Sequence, residues 1–250
     1  MSKIVKRTLD FFELFAEQKR PLSLSEISRL LSMPPSSCYD VLQALEQSGY
    51  IYEIGHRAGY YPTMRLQLVA QRITDNDPVL LRAEMRLRQL RDQLDESVSL
   101  ARINGAQATY LLVFEPSHPL RFMVKVGENV RSLYATSAGK AVLGNLDPEA
   151  RNARIAEAAM TPLTDRTITD RDILRRDIEA SIRRGWFLNR EESVPGGTTI
   201  SATFQWNRSL FVVTVAGPTG RMEASLDDVV ARLLDACRDL ENPGAAQPEA

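Results

Sequence analysis

Apolar positions in the first seventy residues recur at helical spacing. Ile4, Phe11, Phe12, Leu14 and Phe15, with Thr8 among them, share a stripe that predicts a helix over about residues 4–17. EQKRPLS breaks the pattern, and SLSEISRLL restores it with Leu24, Ile27, Leu30 and Leu31. Ser23 followed by Glu26 is the spacing of a capping box, in which each residue's side chain bonds the other's backbone N–H. SMPP ends this second helix. SSCYDVLQALEQSG forms the third, with Cys38, Val41, Leu42 and Leu45 inward and Gly49 as its stop. YIYEI and YYPT then flank GHRAG as a small hairpin.

Three helices and a two-stranded wing make a winged helix-turn-helix, whose third helix enters the DNA major groove. The competing reading of the same pattern is a small helical domain that binds protein or dimerises. On the DNA reading, the third helix exposes Ser36, Ser37, Tyr39, Asp40 and Gln43. Ser pairs with several base edges, Gln with adenine, and Asp with the cytosine amino group. Lys3, Lys6, Arg7 and Arg29, with His56 and Arg57 at the wing tip, are candidates for phosphate or minor-groove contact.

Beyond residue 64, RLQLVAQRITDNDPVLLRAEMRLRQLRDQLDES holds two helical stretches divided at DNDP, where Pro78 suits a first turn. A domain boundary is expected near residues 72–78. SVSLARINGAQATYLLVFEP then predicts two strands around an Asn-Gly turn, and LRFMVKV a third. SAGKAVLGNL, DPEARNARIAEAA and TDRDILRRDIEASIRRG read as helices. Strands return at WFLNR, TTISATFQ and SLFVVTVAG, before an amphipathic helix over about residues 226–240. This order predicts an α+β domain with helices on one face of a mainly antiparallel sheet.

Charge modifies the picture only locally. The net charge of −1 gives no global field for nucleic acid, although residues 1–72 carry nine Lys and Arg against seven Asp and Glu. Two distant cysteines form no disulfide framework and fit a reducing compartment. No secretory leader or membrane-length apolar run is recognised, so a cytoplasmic protein is expected. With only His56 and His118, neither a metal site nor a Ser-His-Asp triad finds support, and no cofactor or catalytic residue is expected. SAGK lacks the glycine-rich lead of a phosphate loop, yet its backbone N–H groups at a helix start suit an anion. PGGTT is either a tight connection or a pocket rim.

SAGKAVLGNL, LTDRTITDRDILRRDIEASIRRGWFLNREESVPGGTTISA and TVAGP, in this order and spacing, resemble the IclR family of bacterial transcriptional regulators. VKRTLDFFELFA and LSLSEISRLLSMPPSSCYDVLQALEQSGYI resemble its winged helix, and the likeness runs from about Ile4 to Leu240. The resemblance implies a DNA-binding domain over 1–72, a linker and the helix leading into the second domain over 73–95, and a GAF-like effector-binding domain over 96–240, while the polar, Pro- and Gly-rich residues 241–250 read as a flexible tail. It also implies homodimers, and in some cases tetramers, that bind pseudo-palindromic operators as repressors or activators. A small carboxylate would meet the backbone at Ser137, Ala138 and Gly139, between walls carrying Asn189, Thr199, Thr214 and Ala216. Asn189 replaces a frequent Asp, Thr199 a frequent Cys and Ala216 a frequent Ser. These departures point to an aromatic or atypical acid rather than to glyoxylate or pyruvate. In the third helix, Pro35 and Asp40 replace a usual Lys and Arg. The alternative is a regulator with a vestigial pocket, acting mainly as an oligomerising DNA-binding or protein-interaction module.

Overall fold

The computed structural model describes residues 3–55 and 59–242. His56 and Arg57 lie outside the described residues, as do the side chains of Lys3 and Ile4 and most of the C-terminal tail. The chain divides into two compact units between Asn76 and Asp77.

The first unit holds α1 (Lys3–Gln18), α2 (Leu24–Leu30), α3 (Pro35–Gln47), β1 (Ile51–Glu53), β2 (Tyr60–Pro62) and α4 (Arg65–Thr74). Its core is the set of apolar positions that the helical spacing selects. Phe11, Leu14 and Phe15 of α1 meet Ile27 of α2, and Cys38, Leu42 and Leu45 of α3. Val41 is only half-buried. The capping box at Ser23 and Glu26 is formed, and Ser23 and Arg20 draw the Glu26 carboxyl down to about 2. Gly49 has a φ of 73°, a left-handed conformation that ends α3 without a Cβ clash. β1 and β2 pair antiparallel, and Leu22 bridges to Tyr60 beside them.

The second unit opens with α5 (Pro78–Leu94), capped by the Asp77 carboxylate. β3 (Ser97–Asn104) and β4 (Gln107–Phe114) follow, then α6 (Ser137–Gly144), α7 (Pro148–Glu157) and α8 (Arg171–Arg184). β5 (Phe187–Arg190), β6 (Gly197–Trp206), β7 (Ser209–Pro218), α9 (Thr219–Ala224) and α10 (Leu226–Glu241) complete it. The strands form one antiparallel sheet in the order β4-β3-β7-β6-β5.

Three expectations need correction. Helices cover both faces of this sheet: α5 and α10 pack on Val98, Leu100, Ile200, Val213 and Val215, whereas α6, α7 and α8 pack opposite on Ala101, Phe187 and Val212. Asn104 pairs with Gln107, so the hairpin turn is Gly105-Ala106 rather than Asn-Gly, with Gly105 at a φ of 59°. Residues 120–126 form no strand. Their apolar side chains follow a different demand, because Phe122, Met123 and Val124 line a cavity rather than pack on a sheet.

Candidate functional site

Strand alternation gives the sheet two unlike faces. On β6 and β7, Ile200, Ala202, Val213 and Val215 point toward α5 and α10. The residues between them, Thr199, Ser201, Thr214 and Ala216, point toward α6. Asn189 of β5 and Ser97 and Ser99 of β3 extend this small, polar surface in register. Above it lies a cavity of about 500 Å³, walled by Tyr110, Phe122, Met123, Val124 and Tyr134.

α6 meets the floor end-on. Thr136 caps it, its hydroxyl accepting from Gly139 N–H at 3.0 Å and donating to the Ser132 carbonyl at 2.7 Å. The N–H groups of Ser137 and Ala138 have no acceptor among the described residues. Ser137 Oγ sits 2.7 Å from both Thr199 Oγ1 and Ser201 Oγ, and Ser201 shares a further 2.7 Å bond with Thr214. Asn189 is oriented by its neighbours: its carbonyl accepts from Glu192 N–H, so its amide donates to Ser193 and Thr199. The floor is therefore a neutral chain of hydroxyls that ends at an amide.

Behind it lies a buried charge cluster that the sequence did not disclose. Lys140 Nζ lies 2.8 Å from Asp177 and 2.7 Å from Glu192, and it donates to the Leu188 carbonyl at 3.0 Å. Burial pushes the Glu192 carboxyl above its ordinary range, against the pull of Lys140. The cluster ties α6 to α8 and to the β5–β6 connection.

Six of the seven expected effector residues line the cavity: Ser137, Ala138, Asn189, Thr199, Thr214 and Ala216. Gly139 does not. A Cβ there would overlap the Ser132 carbonyl oxygen and stand 2.6 Å from Leu133 Cα, so this glycine serves packing. Ser97, Ser99 and the aromatic walls were missed; for the two serines, their alternation on β3 was the available signal. Of the PGGTT turn, Thr199 reaches the cavity, with Val194 just before it at the rim. His118 lies 3.3 Å from Asp95, which also accepts from the Ser117 hydroxyl at 2.6 Å. The carboxylate thus stands between Ser and His, the wrong order for activating a nucleophile. Among the described residues, no His, Cys, Asp and Glu cluster suits a metal, and no helix is long and apolar enough to cross a membrane.

In the first unit, α3 exposes Ser36, Tyr39 and Asp40, with Ser37 and Gln43 half-buried. Pro34 occupies the cap position and gives no side-chain bond, so neither serine caps the helix. Ser36 and Ser37 instead sit in the first turn, and their N–H groups have no acceptor among the described residues. Lys6 and Arg29 are exposed and Arg7 is half-buried. An internal salt bridge from Asp40 would need Arg29 or Arg57: no Asp40–Arg29 ion pair is formed among the described residues, and Arg57 lies outside them.

Comparison with known proteins agrees with this architecture. Residues 4–55 match the IclR helix-turn-helix domain, and residues 71–242 match the bacterial transcriptional regulator IclR C-terminal family. The HTH-type transcriptional regulator Rv1719 of Mycobacterium tuberculosis is 29% identical over 233 residues, covering 93% of this chain and 88% of that protein. A putative IclR regulator from Silicibacter superposes with a TM-score of 0.75 at 23% identity, covering 98% of each chain. An IclR homolog from Microbacterium hydrocarbonoxydans, crystallised with 4-hydroxybenzoate, gives 0.72 at 19% identity over 96% of this chain and 98% of its own. The family matches take in most of both units, and the chain belongs to the IclR family of DNA-binding bacterial transcriptional regulators, not to an enzyme family.

Proposed function

We propose that this regulator binds a pseudo-palindromic operator as a homodimer, or as a pair of dimers, in the cytoplasm. A small carboxylic or aromatic acid held in the GAF-like second domain controls its affinity. The observation that carries this reading is the ligand-sized cavity opening onto the unpaired N–H groups of Ser137 and Ala138. A helix start with two free donors favours an oxyanion. Arg131 also lines the cavity, with its side chain largely exposed, and adds a positive charge on that wall. An open cavity of this size also argues against a vestigial pocket. The Phe122 and Tyr134 walls favour a ring or chain over a two-carbon acid, as do the departures at Asn189, Thr199 and Ala216. The neighbour that carries 4-hydroxybenzoate makes aromatic acids a sensible first panel.

On the DNA side, α3 would lie in the major groove. Ser36, Ser37, Tyr39 and Gln43 would read bases, and Asp40 would accept from a cytosine amino group. The free N–H groups of Ser36 and Ser37 suit a phosphate, with Lys6, Arg7, Arg29, His56 and Arg57 around them. Asp40 is exposed on α3, which suits base reading. Footprinting on upstream regions, with and without a panel of small acids, tests the whole. Protected sites whose occupancy shifts with one acid are expected. A folded dimer that protects no site on any region would overturn the operator reading. Ala138→Leu, which fills the cavity, should abolish the acid response and leave the footprint.

A further inference from the structure

We propose that Ser97 and Ser99 form a second polar anchor in the cavity, one that binds a hydroxyl or carbonyl at the far end of the effector from its carboxylate. This deepens the small-acid reading and rests on it. Both residues lie on the cavity face of β3, two positions apart, and both line the cavity. Among the described residues neither hydroxyl has a hydrogen-bond partner. Ser97 is only 5% exposed, and its Oγ is shielded from solvent without a hydrogen bond.

A buried hydroxyl left unpaired carries its full desolvation penalty, so such a group calls for an explanation. The other floor hydroxyls need none, because Thr199, Ser137, Ser201 and Thr214 bond one another. Nor does packing require a serine: the register partner of Ser97 on β7 is Ala216, and the apolar methyl is accommodated beside it. A ligand group at this edge of the floor, met by rotation of the Ser97 side chain about χ1, supplies the missing partner.

The register also sets the ligand's length. Ser97 pairs with Ala216, and Ala216 with Thr199, which touches Ser137. The anchor therefore lies two strand spacings, roughly 10 Å of backbone, from the α6 side of the floor. A two- or three-carbon acid cannot reach both ends. A monocarboxylate with a ring or a chain of several carbons, bearing a distal hydroxyl or carbonyl, can. Tyr110 and Phe122 wall the space between.

The test uses the full-length protein and matched probes: benzoate against 4-hydroxybenzoate, and hexanoate against 6-hydroxyhexanoate. Binding is measured by calorimetry for the wild type, Ser97→Ala, Ser99→Ala and the double variant. In the wild type the hydroxylated member of at least one pair should bind about fivefold or more tightly. The double variant should bind both members of that pair alike, at the affinity of the plain acid. The single variants give the same readout if the double variant does not fold. Acids that bind with a hydroxyl preference absent from the wild type, or surviving both substitutions, overturn the anchor and leave the acid reading standing. An equal loss for both members shows a structural role and also overturns it. No binding by any of the four acids overturns the acid reading and the anchor together.

Discussion

Lys140 is the residue whose loss the second unit should tolerate least. It is fully buried and holds two carboxylates, so Lys140→Met leaves Glu192 and Asp177 facing each other without a cation. A cost of about 3–5 kcal/mol is expected in urea unfolding. The same cluster sets a pH dependence. Burial raises the Glu192 carboxyl in the fold, so its contribution is full below the ordinary value of 4.5 and is lost as pH rises through the raised value. Glu192→Gln should flatten that part of the stability–pH curve, while Lys140 keeps Asp177 as its counter-ion. None of this was legible in the sequence, since Lys140 and Glu192 stand 52 positions apart and each reads alone as a surface charge. Asp40 is the opposite case. Its oddity was visible at once, and the structure added that it is exposed and unpaired among the described residues. Asp40→Ala should relax operator preference at one base pair by about 1–3 kcal/mol, read by competition binding on single-base operator variants. An unchanged preference at every position would return the reading to Ser36, Ser37 and Gln43.

Elements with local signals were readable, and those defined by distant partners were not. The α2 cap is a four-residue pattern that the fold simply executes. Ser23→Ala should cost about 1 kcal/mol in thermal or urea unfolding. α6 announced its start through small residues, but not why they are small. Gly139→Ala should destabilise by about 1–3 kcal/mol, because the methyl strikes the backbone of Ser132 and Leu133 rather than a side chain that can yield. Residues 120–126 alternate like a strand yet lack a neighbouring strand to pair with, and alternation alone does not distinguish a sheet from a cavity wall. The short α9 carries too few turns for a periodicity. Helices on both sheet faces were missed for a related reason. The polar face of β6 and β7 reads as solvent-facing until α6 is placed over it.

At the scale of the molecule, each unit has its own core: Phe11, Ile27 and Leu42 centre the first, and Leu90, Leu100 and Val213 the second. The division between Asn76 and Asp77 predicts that a fragment of residues 77–250 folds cooperatively and keeps the acid-induced thermal shift of the whole chain. In the intact regulator, a saturating acid should change operator affinity by about 5–150-fold, measured by titration of a labelled operator. The floor bears on which acids can do so. Thr199, Ser137, Ser201 and Thr214 are four hydroxyls joined by three hydrogen bonds. Each carries one proton, so every arrangement leaves one O–H unspent. The whole row can point its protons one way and offer the spare at Thr214, or reverse and offer it at Thr199. No heavy atom moves between the two settings. On the proposed effector reading, such a floor adjusts to where a ligand's oxygen lands by reversing a direction rather than by rebuilding a pocket, so that acids of unlike outline would meet one unchanged sheet.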